Sequence, residues 1–206
     1  MMRLYVVVLG AALAGCVGPA GKGGGIAYYD LGPIERNEAR APAFLLRNVD
    51  VHAPSWLDAS SLQYRLAYAH ASRRHSYAES RWVAPPGELI EQTLRRAIVS
   101  SESDQLAVGC RLRVDLDEFV HLFDSPAESR GVIDVRVSLQ APRTDALIAR
   151  RTFSIARQAA TQDARGGVDA LSAATRELIG NMTAWLGSLD REGRATQDVA
   201  ERCRGA

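Results

Sequence analysis

Between residues 164 and 189, Val168, Leu171, Leu178, Ile179, Met182, Trp185, Leu186 and Leu189 recur at helical spacing. Apolar residues at i, i+3, i+4 and i+7 predict one amphipathic helix over this segment. A stripe that long needs a broad apolar surface to cover it. The sequence just upstream supplies one. Leu112, Val114 and Leu116 alternate with Arg111, Arg113, Asp115 and Asp117. Ile133, Val135, Val137 and Leu139 alternate with Asp134, Arg136, Ser138 and Gln140. Leu147, Ala149, Arg151, Phe153 and Ile155 repeat the pattern with less contrast. Such alternation predicts strands with one covered face and one wet face. The link at residues 141–145 contains Pro142 and Asp145 and reads as a hairpin turn.

The first half of the chain offers the same materials. Residues 43–51 predict a strand, and Leu62, Tyr64, Leu66 and Tyr68 mark a second by alternation. Residues 75–82 predict a short third strand, paired as a hairpin across Ser72-Arg73-Arg74. Pro85 and Pro86 stop extended structure and suit a helix start. Leu89, Ile90, Leu94, Ala97 and Ile98 then share one helical face, so a helix is expected from Pro86 to about residue 100. The predicted order is β-β-(β)-α-β-β-β-α. This is an α+β fold: a mostly antiparallel sheet with two amphipathic helices packed on one face. Residues 191–206 are polar and predict a frayed tail, apart from any tie at Cys203.

The N-terminus carries an address. Arg3 precedes an apolar run that ends in Leu13-Ala14-Gly15-Cys16. The run is far short of the roughly 20 residues that span a bilayer. It reads as a cleaved signal over residues 1–15. Leu, a small residue, Gly and Cys form the lipobox pattern of bacterial lipoproteins. On that reading cleavage falls between Gly15 and Cys16, and Cys16 carries acyl chains. Each buried methylene contributes about 0.8 kcal/mol, so two or more chains anchor stably. Val17 follows the Cys rather than Asp, which implies sorting to the outer membrane. The Gly-rich stretch after it makes residues 16–27 a tether and leaves 28–190 as one domain.

Composition narrows the function classes. The 25 Lys and Arg against 24 Asp and Glu leave no basic excess for nucleic acid. Gly21-Lys22-Gly23-Gly24-Gly25 lacks the spacing of a phosphate-binding loop, and no G-x-S-x-G nucleophile turn occurs. His52, His70, His75 and His121 lack zinc-ligand spacing and read as solvated. Asp115, Asp117 and Glu118 read as the polar face and exit of a strand rather than a calcium loop. No catalytic residue and no metal site is expected, and no cofactor beyond the lipid on Cys16. With Cys16 acylated, Cys110 and Cys203 remain. They form a candidate disulfide in an oxidising compartment. The other reading is a buried Cys110 and a free Cys203 in a loose tail.

Several motifs together resemble the ABC-type transport auxiliary lipoproteins of the PqiC type. These are the lipobox at Cys16, the element Tyr28-Tyr29-Asp30-Leu31, and Tyr64-Arg65 followed by Tyr77-Ala78-Glu79-Ser80-Arg81-Trp82. A Pro and an amphipathic helix come next, and a sheet-then-helix ending closes near Trp185-Leu186. Family members usually carry Ala after Arg-Trp, where this chain has Val83. The resemblance implies a non-enzymatic lipoprotein on the periplasmic side of the outer membrane, supporting envelope integrity. Its implied partners are an MCE-domain protein and, through it, an inner-membrane ABC permease and ATPase that move lipid. It also implies a homo-oligomer. Tyr28, Tyr29, Leu31, Arg81 and Trp82 are the candidate interaction surface. The alternatives are a lipoprotein that itself carries lipid, and a structural one unconnected to a transporter.

Overall fold

The computed structural model describes residues 25–33, 44–99, 108–189 and 194–204. Among them, strands β1 (Ala27–Tyr29), β2 (Leu46–His52), β3 (Ser61–Leu66), β4 (Arg74–Trp82), β5 (Cys110–Ser125), β6 (Glu128–Gln140) and β7 (Leu147–Gln158) form one sheet. The helices are α1 (Pro86–Ile98), α2 (Ala164–Leu189) and α3 (Arg194–Arg204). The fold is α+β, as the alternation predicts. Neighbours run β1-β4-β3-β5-β6-β7, with β2 also on β5. The long ladders β5·β6 and β6·β7 are antiparallel.

The sequence pattern missed four features. β1 is three residues long, too short for alternation to register. It pairs with β4 in parallel. β2 and β3 also pair in parallel with β5, β2 along its first half and β3 near its end. Tertiary packing sets those partners, not local sequence. β5 continues for 16 residues instead of stopping near Asp117. A bulge between Leu116 and Glu118 inserts one residue. The core-facing set therefore changes from Leu112, Val114 and Leu116 to Phe119, His121 and Phe123. Lastly, residues 194–204 form α3 rather than a frayed tail. Among the described side chains of α3, Val199 and Cys203, four apart, bury against the body, a thin stripe to read from sequence.

Two of the helices cover one face of the sheet, α1 over β2 and α2 over β5, β6 and β7. Leu171, Leu178, Met182 and Leu186 of α2 and Ile90 and Leu94 of α1 meet the inward residues of β5 and β6 in a single core. Burying each such Leu or Ile contributes about 2 kcal/mol relative to exposure. Pro86 opens α1, where its missing N–H has no helical partner to lose. Asp163 opens α2 by accepting the Gly166 N–H at 2.8 Å, an N-cap bond.

The sequence places two glycines where α2 touches the sheet. Gly131 of β6 stands directly across from His121 of β5. A Cβ on Gly131 would lie 2.7 Å from the Leu171 nitrogen and 2.8 Å from the Ala170 carbonyl carbon. A Cβ on Gly167 would lie 2.5 Å from His121 Nδ1. Gly-Gly in a first helical turn weakens the helix, and here it permits the close approach.

The free side of β2 is plugged by α1. Glu91 Oε2 accepts the Val51 N–H at 3.0 Å, and Arg95 Nε donates to the Val49 carbonyl at 3.1 Å. Glu91 and Arg95 also pair with each other at 3.0 Å. These side chains satisfy the backbone groups that an incoming strand would need.

Candidate functional site

Gly15 and Cys16 lie outside the described residues, as do the signal segment and most of the tether. The five candidate interaction residues fall into two groups. Leu31 and Trp82 belong to the core. Trp82 is 1% exposed and meets the Phe119 ring edge to face at 5.5 Å. Neither side chain is on offer to a partner, so the expectation of a surface role is corrected for both. Alternation along β4 explains the burial of Trp82, which shares the inward face with Tyr29 of β1.

Arg81 points the other way, but its guanidinium serves its own chain. It donates to the Tyr77 and Ser80 carbonyls. Those carbonyls belong to a stretch of β4 that slips register against β3 between Ser76 and Arg81. Arg81 therefore holds an irregular strand together. Tyr28, opposite Arg81, is 64% exposed. Tyr28 and Arg81 thus share the outer face at the β1 end of the sheet.

Cys110 and Cys203 form a disulfide across 93 residues of sequence. It joins the first residue of β5 to α3. Arg202 adds a bond from its guanidinium to the Leu147 carbonyl at 3.0 Å.

The acidic run is a set of ion pairs rather than a strand exit. Asp117 accepts a two-pronged bond from Arg136 of β6, and Asp115 pairs with Arg113. The Arg136 bond holds the Asp117 carboxyl below its ordinary range. Glu118, at the bulge, receives Arg65 of β3 at 2.9 Å and Arg74 of β4 at 2.8 Å. It thereby fastens β3 and β4 to β5 where the parallel β3·β5 ladder is three residues long. No group of three His, Cys, Asp or Glu residues among the described ones is placed to hold a metal ion.

His121 departs from the solvated reading. It is fully buried. Its Nδ1 lies 2.9 Å from the Tyr77 hydroxyl and its Nε2 lies 2.8 Å from the Ser129 hydroxyl. In the neutral ring one nitrogen donates and the other accepts. Tyr77 stacks on its ring and Phe123 tilts against it, and Tyr64 and His75 extend the aromatic cluster beyond them. A Ser–His pair invites a nucleophilic reading. Ser129 is buried, however, and Gly167 leaves no room beside the ring even for a methyl group. The pair is a packed core network. Its signal in the sequence is the alternation of Phe119, His121 and Phe123 beyond the bulge.

Burial pushes the His121 imidazole down to about 4, against a smaller opposing pull from Asp163. Burial also raises the Tyr77 hydroxyl. Since the folded value lies below the ordinary value near 6.5, the unfolded chain takes up the proton first. This stability is fully present above pH 6.5 and is lost as pH falls toward 4, to about 3 kcal/mol. Urea unfolding at pH 7.5 and at pH 4.5 measures the loss. A His121→Gln variant should flatten the dependence over that window, and an unchanged slope would refute the assignment.

A cleft of about 340 Å³ opens between the end of β2 and the first turns of α1. Its wall includes His52, Asp58, Glu88 and Glu91. Such a lining does not suit an acyl chain. No helix among the described residues is long and apolar enough to cross a membrane.

The fold has solved counterparts. A Xanthomonas campestris protein described under the family model DUF330 superposes with a TM-score of 0.68. It is 17% identical, over 81% of this chain and 99% of that one. A second crystal structure, described only as that of an uncharacterized protein, gives 0.59 at 18% identity, over 79% and 99%. At such identity the likeness speaks for the fold alone. No curated protein matches the sequence. The family model for the ABC-type transport auxiliary lipoprotein component matches residues 29–182, from β1 to well inside α2. That span takes in β2 to β7, α1 and most of α2, and the chain belongs to this family.

Proposed function

We propose that this protein is a lipid-anchored docking subunit of an MCE/ABC-type system that moves lipid between the two membranes. Cys16 carries the acyl chains, the outer membrane holds them, and the domain sits on the periplasmic side. Its work is attachment and assembly, without catalysis and without a cofactor. The observation that carries this reading is the family match over residues 29–182, joined to the lipobox that precedes it. The sheet supports it physically. β7 is an edge strand 12 residues long, whereas β2 is plugged. A long open edge is a surface on which a partner or a second copy can pair.

Affinity capture of the tagged full chain from gently solubilised membranes tests the proposal. An MCE-domain protein, with the ABC permease and ATPase, should be recovered. Recovery of none of them would remove the transporter from the reading. Separation of inner from outer membranes on a density gradient tests the address, and the protein should travel with the outer fraction.

A further inference from the structure

Four large apolar side chains are exposed at one corner of the sheet. Tyr28 lies on the outer face of β1 at 64% exposure, and exposed Ile26 immediately precedes the strand. Val83 follows β4 just past Arg81 and Trp82, and its N–H donates to the Tyr29 carbonyl at 2.9 Å. Trp56 sits in a single 3-10 turn between β2 and β3 and is 54% exposed. Its carbonyl accepts from Gln63 of β3 at 2.7 Å. Across the sheet, Tyr28 faces Arg81 and Arg81 faces Ser61 of β3, which places β1, the end of β4 and the Trp56 turn side by side.

We propose that this corner rests in the headgroup layer of the bilayer that holds the anchor. The inference depends on acylation of Cys16, as argued above. The first support is position. The chain enters the sheet at this corner, and Gly25 is nine residues from Cys16. An extended stretch of that length spans at most about 30 Å. The corner is thus within reach of the lipid surface, whereas the disulfide ties α3 to the start of β5, beside Leu46 of β2. The second support is chemistry. Trp and Tyr concentrate at membrane–water interfaces because each has an apolar ring and a polar handle. Here they are joined by an Ile and a Val. The third is charge. Asp30, Asp58 and Glu79 are exposed beside the patch, against Arg81 between the strands. That acidic excess is repelled by an anionic surface and suits a zwitterionic one such as phosphatidylethanolamine better.

Tryptophan fluorescence reads the contact directly. The other two tryptophans, Trp82 and Trp185, are buried, so Trp56 is the one that changes. The full chain, made with its own signal and purified from membranes, is reconstituted into phosphatidylethanolamine–phosphatidylcholine vesicles with brominated acyl chains. Mass measurement of the N-terminal peptide and flotation report the anchor. Trp56 emission reports the corner. The expected result is a blue shift and bromine quenching in the parent protein, both absent in Trp56→Phe. A Tyr28→Ser, Val83→Ser variant should still float and should lose most of the quenching. Flotation with an acylated Cys16 but identical emission in brominated and plain vesicles would overturn the contact and leave the anchor standing. Failure to float would overturn both, because nothing else brings the corner to the surface. Shielding from acrylamide that grows with protein concentration, without bromine quenching, would also overturn it and assign the corner to a second copy.

Discussion

Reducing the Cys110–Cys203 bond should lower the unfolding free energy by about 4 kcal/mol, from the chain entropy of a 93-residue closure. The closed loop contains β5, β6, β7 and α2, so the unfolded chain regains the freedom of the whole second half of the domain. Locally the effect is sharper. α3 contributes only Val199 and Cys203 as buried side chains among its described ones, too little apolar area to hold an 11-residue helix unaided. Reduction should therefore release α3 first. Amide exchange over residues 194–204 should become fast while β5 and β6 stay protected. Cys203→Ala should reproduce both effects without reductant. Cys110→Ser should be worse than Cys203→Ala, because it sets a hydroxyl in a fully buried apolar site. If reductant leaves the urea midpoint unchanged, the bond does not contribute in solution.

Gly131→Ala should destabilise the fold by about 3 kcal/mol, at the high end for overpacking. The usual escape from overpacking is a rotamer change, and it is missing here. The atoms that a new methyl would strike are the Leu171 nitrogen and the Ala170 carbonyl carbon, both main chain. α2 would have to lift off β6, opening the core around Leu171 and the His121 network behind it. Gly180→Ala, in the same helix, provides the opposite expectation. Nothing lies within 4 Å of the position its Cβ would take. The exchange should stabilise by about 1 kcal/mol through helix propensity alone. Chemical denaturation of the two variants beside the parent checks the pair. Equal shifts of the same sign would contradict the close approach of α2 to the sheet.

The α2 stripe, the alternation of β6 and the Pro86 helix start were legible because one-dimensional period maps directly onto a buried face. The β5 bulge was not, since one inserted residue reverses the parity on which such a reading depends. That hid the burial of Phe119, His121 and Phe123 together. Trp82 was misplaced because a tryptophan beside an arginine looks the same in sequence whether it faces a partner or the core. Only the pairing of Tyr29 with Trp82 decides. The parallel placement of β2 and β3 on β5 leaves no local trace at all, because it is chosen by what the helices cover. The candidate corner was half legible: Tyr28 stood out, while Trp56 in its short turn carried no pattern to mark it.

The plug that Glu91 and Arg95 place on β2 also limits how copies of this protein could grow into larger bodies. A sheet open on two long sides can add copies without end, which is the route to fibres. Among the described residues this sheet has one long open side, at β7, and a shorter one at β4, where β1 covers only Ser80 to Trp82 and leaves residues 74–79 unpaired on that side. Two copies joined β7 to β7 would exhaust each other's long edge and stop. An assembly beyond a pair would then have to use the shorter β4 margin, or side chains and loops whose shape fixes an angle and a number. Two residues of α1 thus remove one of the places at which a further copy could add.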